Sequence, residues 1–382
     1  MELAPDEFFR FCQEKDSLTH RAAGYFKVAP EQFANWRWQM RHQLQSPEEF
    51  PPEIALLAEE TAGFSKLDSL FRAGLTPYYA ALMQNQASCP IRLQAMPRME
   101  EFSDALGQAD PLAERLHSPV KEVVHLYPDR VAFCVAMLCP VYCRYCYRKR
   151  RDEESGLHFN RVIINKGLQY IASNSAIRDV LITGGDPFIS SDESLEHLVQ
   201  SLRKIPHVEI IRFGTRTPVT LPYRVTHTLS KMLAKYHPIW VNTHFNCVEE
   251  LSPEAVQAVT NLVNAGIPVG NQAVLLRGVN DSAEKIMTLC RTLVRHRVRP
   301  YYLFHPHLVE GTAHLRTSVK TGLAIMKELR GKLSGYAIPT YIVDTPEGKI
   351  PVNYNYILGN DGSDLLLETP RGEIWREKGA WE

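Results

Sequence analysis

Between residues 131 and 306 the chain alternates short apolar runs with longer stretches whose apolar positions recur every three or four residues. The runs are 131–137 (VAFCVAM), 179–185 (DVLITGG), 208–215 (VEIIRFGT), 239–245 (IWVNTHF), 267–276 (IPVGNQAVLL) and 299–306 (RPYYLFHP). They are too short for helices and rich in β-branched and aromatic residues, so they predict strands. The stretches between them predict amphipathic helices, as where Leu195, Leu198, Val199, Leu202 and Ile205 keep helical spacing. One helix is expected to start after Ser252 as N-cap, with Pro253 in its first turn, and to stop before Gly266. Another is expected to open at Asp281, with Glu284 as its capping-box partner. Strands alternating with helices of this length predict a parallel sheet with right-handed crossovers. The fold class is therefore α/β, with a partial (β/α)6-type barrel over 116–335 and its site at the C-terminal ends of the strands. Residues 1–115 predict a helical segment in which aromatics interleave with charges (FFRF, ANWRWQMRHQL, TPYYAALM), and Trp36 and Trp38 are expected in packing roles. Residues 336–382 form a separate C-terminal segment.

Composition narrows the class. Of 382 residues, 45% are hydrophobic and 23% charged, as in an ordinary globular protein. Forty-three basic and 43 acidic side chains cancel, which argues against a nucleic-acid or other polyanion partner. No apolar run approaches membrane-spanning length and the N-terminus carries no apolar signal segment, so a cytoplasmic location is expected. Cys12, Cys89, Cys134, Cys247 and Cys290 are scattered and are expected to be reduced.

The other three cysteines, Cys139, Cys143 and Cys146, sit at C-x3-C-x2-C spacing directly after the first strand, in MLCPVYCRYCYRKR. Three thiolates on a short loop suit three irons of a [4Fe–4S] cluster, leaving one iron open. A zinc site wants a fourth protein ligand, and a redox dithiol needs only a pair. The spacing is the signature of the radical S-adenosylmethionine (SAM) superfamily, whose SAM chelates the open iron. Gly184, Gly185 and Asp186 end the second strand, where glycines permit close backbone approach and the carboxylate can accept from an ammonium group. His244 and Asn246 end the IWVNTHFN run, and Asn271 and Gln272 lie within the next one. Polar groups inside a strand either satisfy one another or face a lined interior. Lined up inside one barrel, they are expected to be cofactor contacts.

HLYPDRV, CPVYCRYCYRKR, LITGGDPF, TRTPV, YHPIWVNTHFN, GNQAVLLRGVND, RPYYL and GKIPVNYNY, in this order, resemble the lysine 2,3-aminomutase family. The resemblance implies radical SAM enzymes that also use pyridoxal 5′-phosphate (PLP), that move the amino group of an α-amino acid from Cα to Cβ, and that form homo-oligomers. It implies a flavodoxin- or ferredoxin-like electron donor. Lys349 matches the family's PLP Schiff-base lysine. Tyr127 and Arg130 match residues that stack on the PLP ring and bind its phosphate, and Gln272 matches a further PLP contact. Arg148 matches the arginine that grips the substrate α-carboxylate, whereas Arg150 and Arg151 read as a solvated basic run. Asp344 matches one of two aspartates that hold the ε-ammonium in lysine-acting members.

Three departures stand against this pattern. His307 occupies the place of the second aspartate, so another polar amino acid such as glutamate, glutamine or ornithine competes with lysine as the expected substrate. Leu126 stands where the family tends to carry another phosphate-binding arginine. Ser282 stands where some members have a zinc-binding cysteine, and no cysteine follows Cys290, so no structural zinc is expected. A radical SAM/PLP enzyme of different outcome, by elimination or modification of a bound lysine, is the competing enzyme reading. A zinc-binding scaffold is the competing non-enzyme.

Overall fold

A computed structural model describes residues 17–67, 71–149, 161–378 and 380–381. Cys12, the FFRF run, Arg150 and Arg151 lie outside them. Nine strands form one sheet in sequence order: β1 (Val123–Tyr127), β2 (Arg130–Ala136), β3 (Asp179–Gly184), β4 (Ile210–Gly214), β5 (Ile239–Thr243), β6 (Val269–Val274), β7 (Val298–Phe304), β8 (Thr340–Thr345) and β9 (Gly348–Pro351). From β2 to β8 each strand pairs parallel with the next, while β1 and β9 run antiparallel at the two edges. The six expected strands are all present. The sheet also reaches beyond residue 335, because β8 and β9 pair into it. The two edges meet where the Lys349 backbone N–H donates to the Tyr127 hydroxyl at 2.8 Å, which makes the sheet a nearly closed barrel.

Alternation along the strands explains why they close around a cavity. Val180 and Ile182 on β3, Ile211 and Phe213 on β4, and Ile239 and Val241 on β5 are fully buried in the core. Burying each such side chain contributes roughly 1.5–3 kcal/mol. Their neighbours of opposite parity, among them Asp179, Thr183, Arg212 and Trp240, face a central cavity. The helix Asp192–Arg203 buries Leu195, Leu198, Val199 and Leu202 as its spacing predicts. The Ser252 cap and Pro253 also stand as expected, with Ser252 Oγ accepting from the Ala255 N–H. The next helix corrects its expectation. Its N-cap is Ser282, whose Oγ accepts from the Lys285 N–H, because the Asp281 carboxylate is turned back onto the Gly278 N–H.

The N-terminal segment is helical only in short pieces, such as Leu18–Tyr25, Pro30–Phe33, Trp36–Arg41, Ala58–Phe64, Pro77–Ala81 and Pro90–Ala95. Prolines begin three of them, and each stops within two turns. Trp38 packs on Phe33 and stacks on His42, and Arg224 lies over Trp36. Beyond the barrel, β10 (Ile357–Asp361), β11 (Asp364–Glu368) and β12 (Ile374–Glu377) form a small antiparallel sheet. No helix among the described residues is long and apolar enough to cross a membrane.

Candidate active site

The barrel interior and the loops at the strand C-terminal ends enclose a cavity of about 640 Å³. Cys139, Cys143 and Cys146 line one pole of it. The N-terminal segment holds their loop in place. Gln43 donates to the Cys139 and Pro140 carbonyls, both at 2.8 Å, and the Tyr142 N–H donates to Gly74 O. Arg144, between two of the cysteines, is fully buried and grips Glu101 with Nε and Nη2 at 2.9 and 2.6 Å. Burial, and then the neighbouring Cys143, push the Cys146 thiol up to about 11. A thiolate there needs a compensating cation, which iron supplies. Among the described residues no three His, Cys, Asp or Glu side chains converge as ligands of one ion. Three sulfurs lining one cavity fit separate irons of a cluster.

Gly184 and Gly185 line the same pole, and their lack of side chains has a structural cause. A Cβ on Gly184 (φ +125°) would lie 2.2 Å from Ala136 O, and one on Gly185 2.4 Å from Leu138 O. The two glycines let the end of β3 close against the backbone that leads into the cysteine loop. Asp186 faces the cavity, yet its carboxylate already accepts from the Thr215 hydroxyl and the Phe188 and Arg216 N–H groups. Burial pushes its carboxyl up, and these bonds offset only part of that. His244 lines the cavity, and burial followed by the Arg216 charge lowers it to about 4, so it is neutral at physiological pH. Asn246 does not line the cavity. It is fully buried and bonds Gln94, Tyr145 and the Val274 N–H, which makes it a brace behind the site.

The Lys349 side of the same cavity gathers His307, Asp344, Lys349, Tyr127 and Arg130, and Arg148, two residues past Cys146, lines it too. Arg148 presents Nε and Nη2 to Glu114, the shortest contact being 2.6 Å, and Nη1 to Thr183 Oγ1 at 3.2 Å. Burial opposes its charge most strongly, but Glu114, Tyr147 and Cys134 together outweigh it and raise the guanidinium above its ordinary value. Lys349 Nζ lies 3.0 Å from Asp344 Oδ2, and His307 Nε2 lies 3.6 Å from the same oxygen, beyond hydrogen-bond length. Burial alone would raise the Asp344 carboxyl; His307 and the Lys349 ammonium overcome it and hold the carboxyl below its ordinary value. The His307 ring packs against Tyr147, with centroids 4.7 Å apart. Arg130 lies over the Tyr127 ring at 3.8 Å and pairs with Asp129. Gln272 also lines the cavity.

Sequence reasoning missed Glu114 and Arg216. Glu114 lies in an irregular segment with no periodic signal. Arg216 stands two residues past β4, at the N-cap of the short helix Thr217–Thr220, in the TRTPV motif. A charged residue at a strand C-terminal end was the available signal.

Three thiols at the mouth of a parallel α/β barrel, one strand before a Gly-Gly-Asp turn, define a radical SAM protein, and residues 135–290 match the family model described as Radical SAM superfamily. Residues 326–375, which carry Asp344 and Lys349, match the model described as Lysine-2,3-aminomutase. The chain is 45% identical over 364 residues to the L-lysine 2,3-aminomutase of Fusobacterium nucleatum subsp. nucleatum, covering 94% of this chain and 85% of that one. It is 43% identical over 362 residues to the L-lysine 2,3-aminomutase of Clostridium subterminale (94% and 87%). It is 39% identical over 347 residues to the glutamate 2,3-aminomutase of Clostridioides difficile (90% and 82%). The chain belongs to this family: it is a radical SAM amino-acid 2,3-aminomutase, an isomerase whose substrate is a small-molecule amino acid. Membership implies SAM and a [4Fe–4S] cluster, which the three thiols suit.

Proposed function

We propose that the chain is a PLP-dependent 2,3-aminomutase of an L-α-amino acid, with lysine as the default substrate and glutamate, glutamine or ornithine as the alternatives that His307 brings in. The observation that carries this reading is the single cavity: the cluster thiols, Arg148, Asp344, His307 and Lys349 all line it. When bound, the cluster with SAM supplies hydrogen-abstracting radical chemistry, and PLP supplies an electrophilic carbonyl for the migrating amine.

The residues divide the remaining work. Cys139, Cys143 and Cys146 hold the cluster. Gly184, Gly185, Asp186 and His244 contribute the SAM side of the cavity, with Asn246 bracing it from behind. Arg148 binds the substrate carboxylate, and Glu114 fixes the orientation of its fork. Lys349 offers the amine for PLP, and Asp344 holds that amine in line. Tyr127 gives an aromatic surface beside it, and Gln272 a polar contact. For the phosphate, Arg130 and Arg212 each spend one nitrogen on a carboxylate, Asp129 and Asp179 respectively, at 2.8 Å. The rest of each guanidinium is left to an anion, which compensates for Leu126. Asp344 and His307 read the end of the substrate side chain. One carboxylate beside an imidazole holds an ammonium less firmly than two carboxylates do. A protonated His307 favours a carboxylate or amide instead. A flavodoxin- or ferredoxin-like protein as reductant, a homo-oligomeric assembly and a cytoplasmic location belong to the same reading.

The test is anaerobic. The reconstituted enzyme, with PLP, SAM and reductant, is offered lysine, glutamate, glutamine, ornithine and alanine separately, and products are derivatised for mass spectrometry. One of the polar amino acids should yield its β-isomer. Ammonia release without any β-isomer would replace this reading with elimination.

A further inference from the structure

We propose that Arg216 is a positioning residue for the cluster, donating a hydrogen bond to a ligating sulfur and raising the cluster's reduction potential. Its Nη1 lies 2.7 Å from Cys143 Sγ. The rest of the guanidinium is fully committed. Nη2 donates to Glu250 at 2.6 Å, Gln94 at 2.7 Å and the Tyr79 hydroxyl at 3.0 Å, and Nε donates to the His244 carbonyl at 3.2 Å. The Arg216 backbone N–H bonds Asp186, which ties the end of β4 to the end of β3. The side chain is 9% exposed and its Glu250 partner fully buried. Glu250 is held in turn by the Asn246 and Cys247 N–H groups and by Tyr79. With every other nitrogen spoken for, the remaining amino group can point only at the sulfur.

The consequence is electrostatic. Reducing the cluster by one electron adds negative charge to the sulfur and iron framework. A cation fixed against one ligand sulfur in a dry setting favours that added charge, and hydrogen bonds to sulfur act in the same direction. Glu250 tempers the effect, so the pair sets the potential by the balance of its two charges. Arg216 is not asked to move a proton or touch the substrate. Its effect is on how readily the cluster accepts the electron that starts each cycle.

Three variants of the reconstituted full chain test this: Arg216→Gln, Arg216→Lys and Glu250→Gln. The readouts are iron content and the potential of the cluster couple, followed by electron paramagnetic resonance in an anaerobic redox titration without substrate. Arg216→Gln should keep its iron and lower the reduced-to-oxidised ratio at a fixed potential at least tenfold, about 59 mV for a one-electron couple. Arg216→Lys should give a smaller shift of the same sign. Glu250→Gln leaves the cation uncompensated and should shift the ratio the opposite way. Opposite signs separate an electrostatic role from a merely structural one. Unchanged potentials, or equal shifts of one sign in all three, would overturn the proposal. So would loss of iron from all three, which would make Arg216 a scaffold for the cysteine loop.

Discussion

The two poles of the cavity are built differently. At the cluster pole the protein's polar groups are bonded to one another before any ligand enters: Arg144 to Glu101, Asp186 to Thr215 and Arg216, Asn246 to Gln94 and Tyr145. Arg144 and Asn246 are fully buried. At the Lys349 pole Arg148 is bonded just as fully, to Glu114 and Thr183, but around Lys349 itself the contacts are sparser and wetter. The Lys349 and Arg130 side chains are 35% and 39% exposed, and His307 stops short of Asp344. Rigid, satisfied networks hold reacting groups in register, as radical chemistry common to a family requires. A pole with unspent donors can take a cofactor and can change its substrate through one residue. That contrast predicts where substitutions are fatal and where they retune.

The strongest challenge to the contrast is Cys143→Ser. Iron should be lost, and β-amino-acid formation should fall by more than about 10³, or about 4 kcal/mol in the barrier; turnover within tenfold of the parent would remove the cluster from that pole. Lys349→Ala should abolish turnover to a similar degree while leaving the iron content untouched, and should lower stability by up to about 1 kcal/mol, because the side chain is partly exposed but its loss leaves the nearly buried Asp344 carboxylate without its cation. Pyridoxal absorbance measured on the same sample would separate the two poles. Glu114→Gln should weaken the grip of Arg148 on the substrate carboxylate, lowering kcat/KM roughly ten- to hundredfold, or about 1.4–2.7 kcal/mol, chiefly through KM. His307→Asp should raise lysine turnover roughly tenfold relative to glutamate; no gain in a side-by-side assay would deny His307 the specificity role.

The smallest effect concerns acid stability. The folded-state value of His244, about 4, lies below its ordinary 6.5, so between these values the unfolded chain binds the additional proton. Stability from this group is intact above pH 6.5 and is lost as the pH falls toward 4, by roughly 1–2 kcal/mol at pH 5. Urea melts at pH 7 and pH 5 should show a shallower loss for His244→Gln than for the parent.

Much of this was legible beforehand because it is local. The cysteine loop, the glycine turn and the strand alternation are written in consecutive residues, and the structure brings fourteen of the sixteen expected site residues to one cavity, the exceptions being Asn246 and the buried Asn271, whose amide is spent on the Phe245 backbone. What escaped was created by through-space pairing. Glu114 meets Arg148 across 34 positions, and Arg216 meets Cys143 across 73. No periodicity links such positions. Asn246 misled for the same reason: a polar residue at a strand end can face the cavity or brace it from behind, and only its partners decide. The shift of the N-cap from Asp281 to Ser282 was a contest between two good capping side chains, settled when Asp281 turned back onto Gly278.

The central claim is isomerisation: nothing leaves the substrate, so the proposed function has SAM reused and not consumed. The measurement that tests it most directly is the ratio of β-amino acid formed to SAM consumed, under anaerobic conditions with excess amino acid. This account predicts many β-amino-acid molecules per SAM, with no ammonia released. One SAM lost for each product, or ammonia in place of the β-isomer, would contradict it.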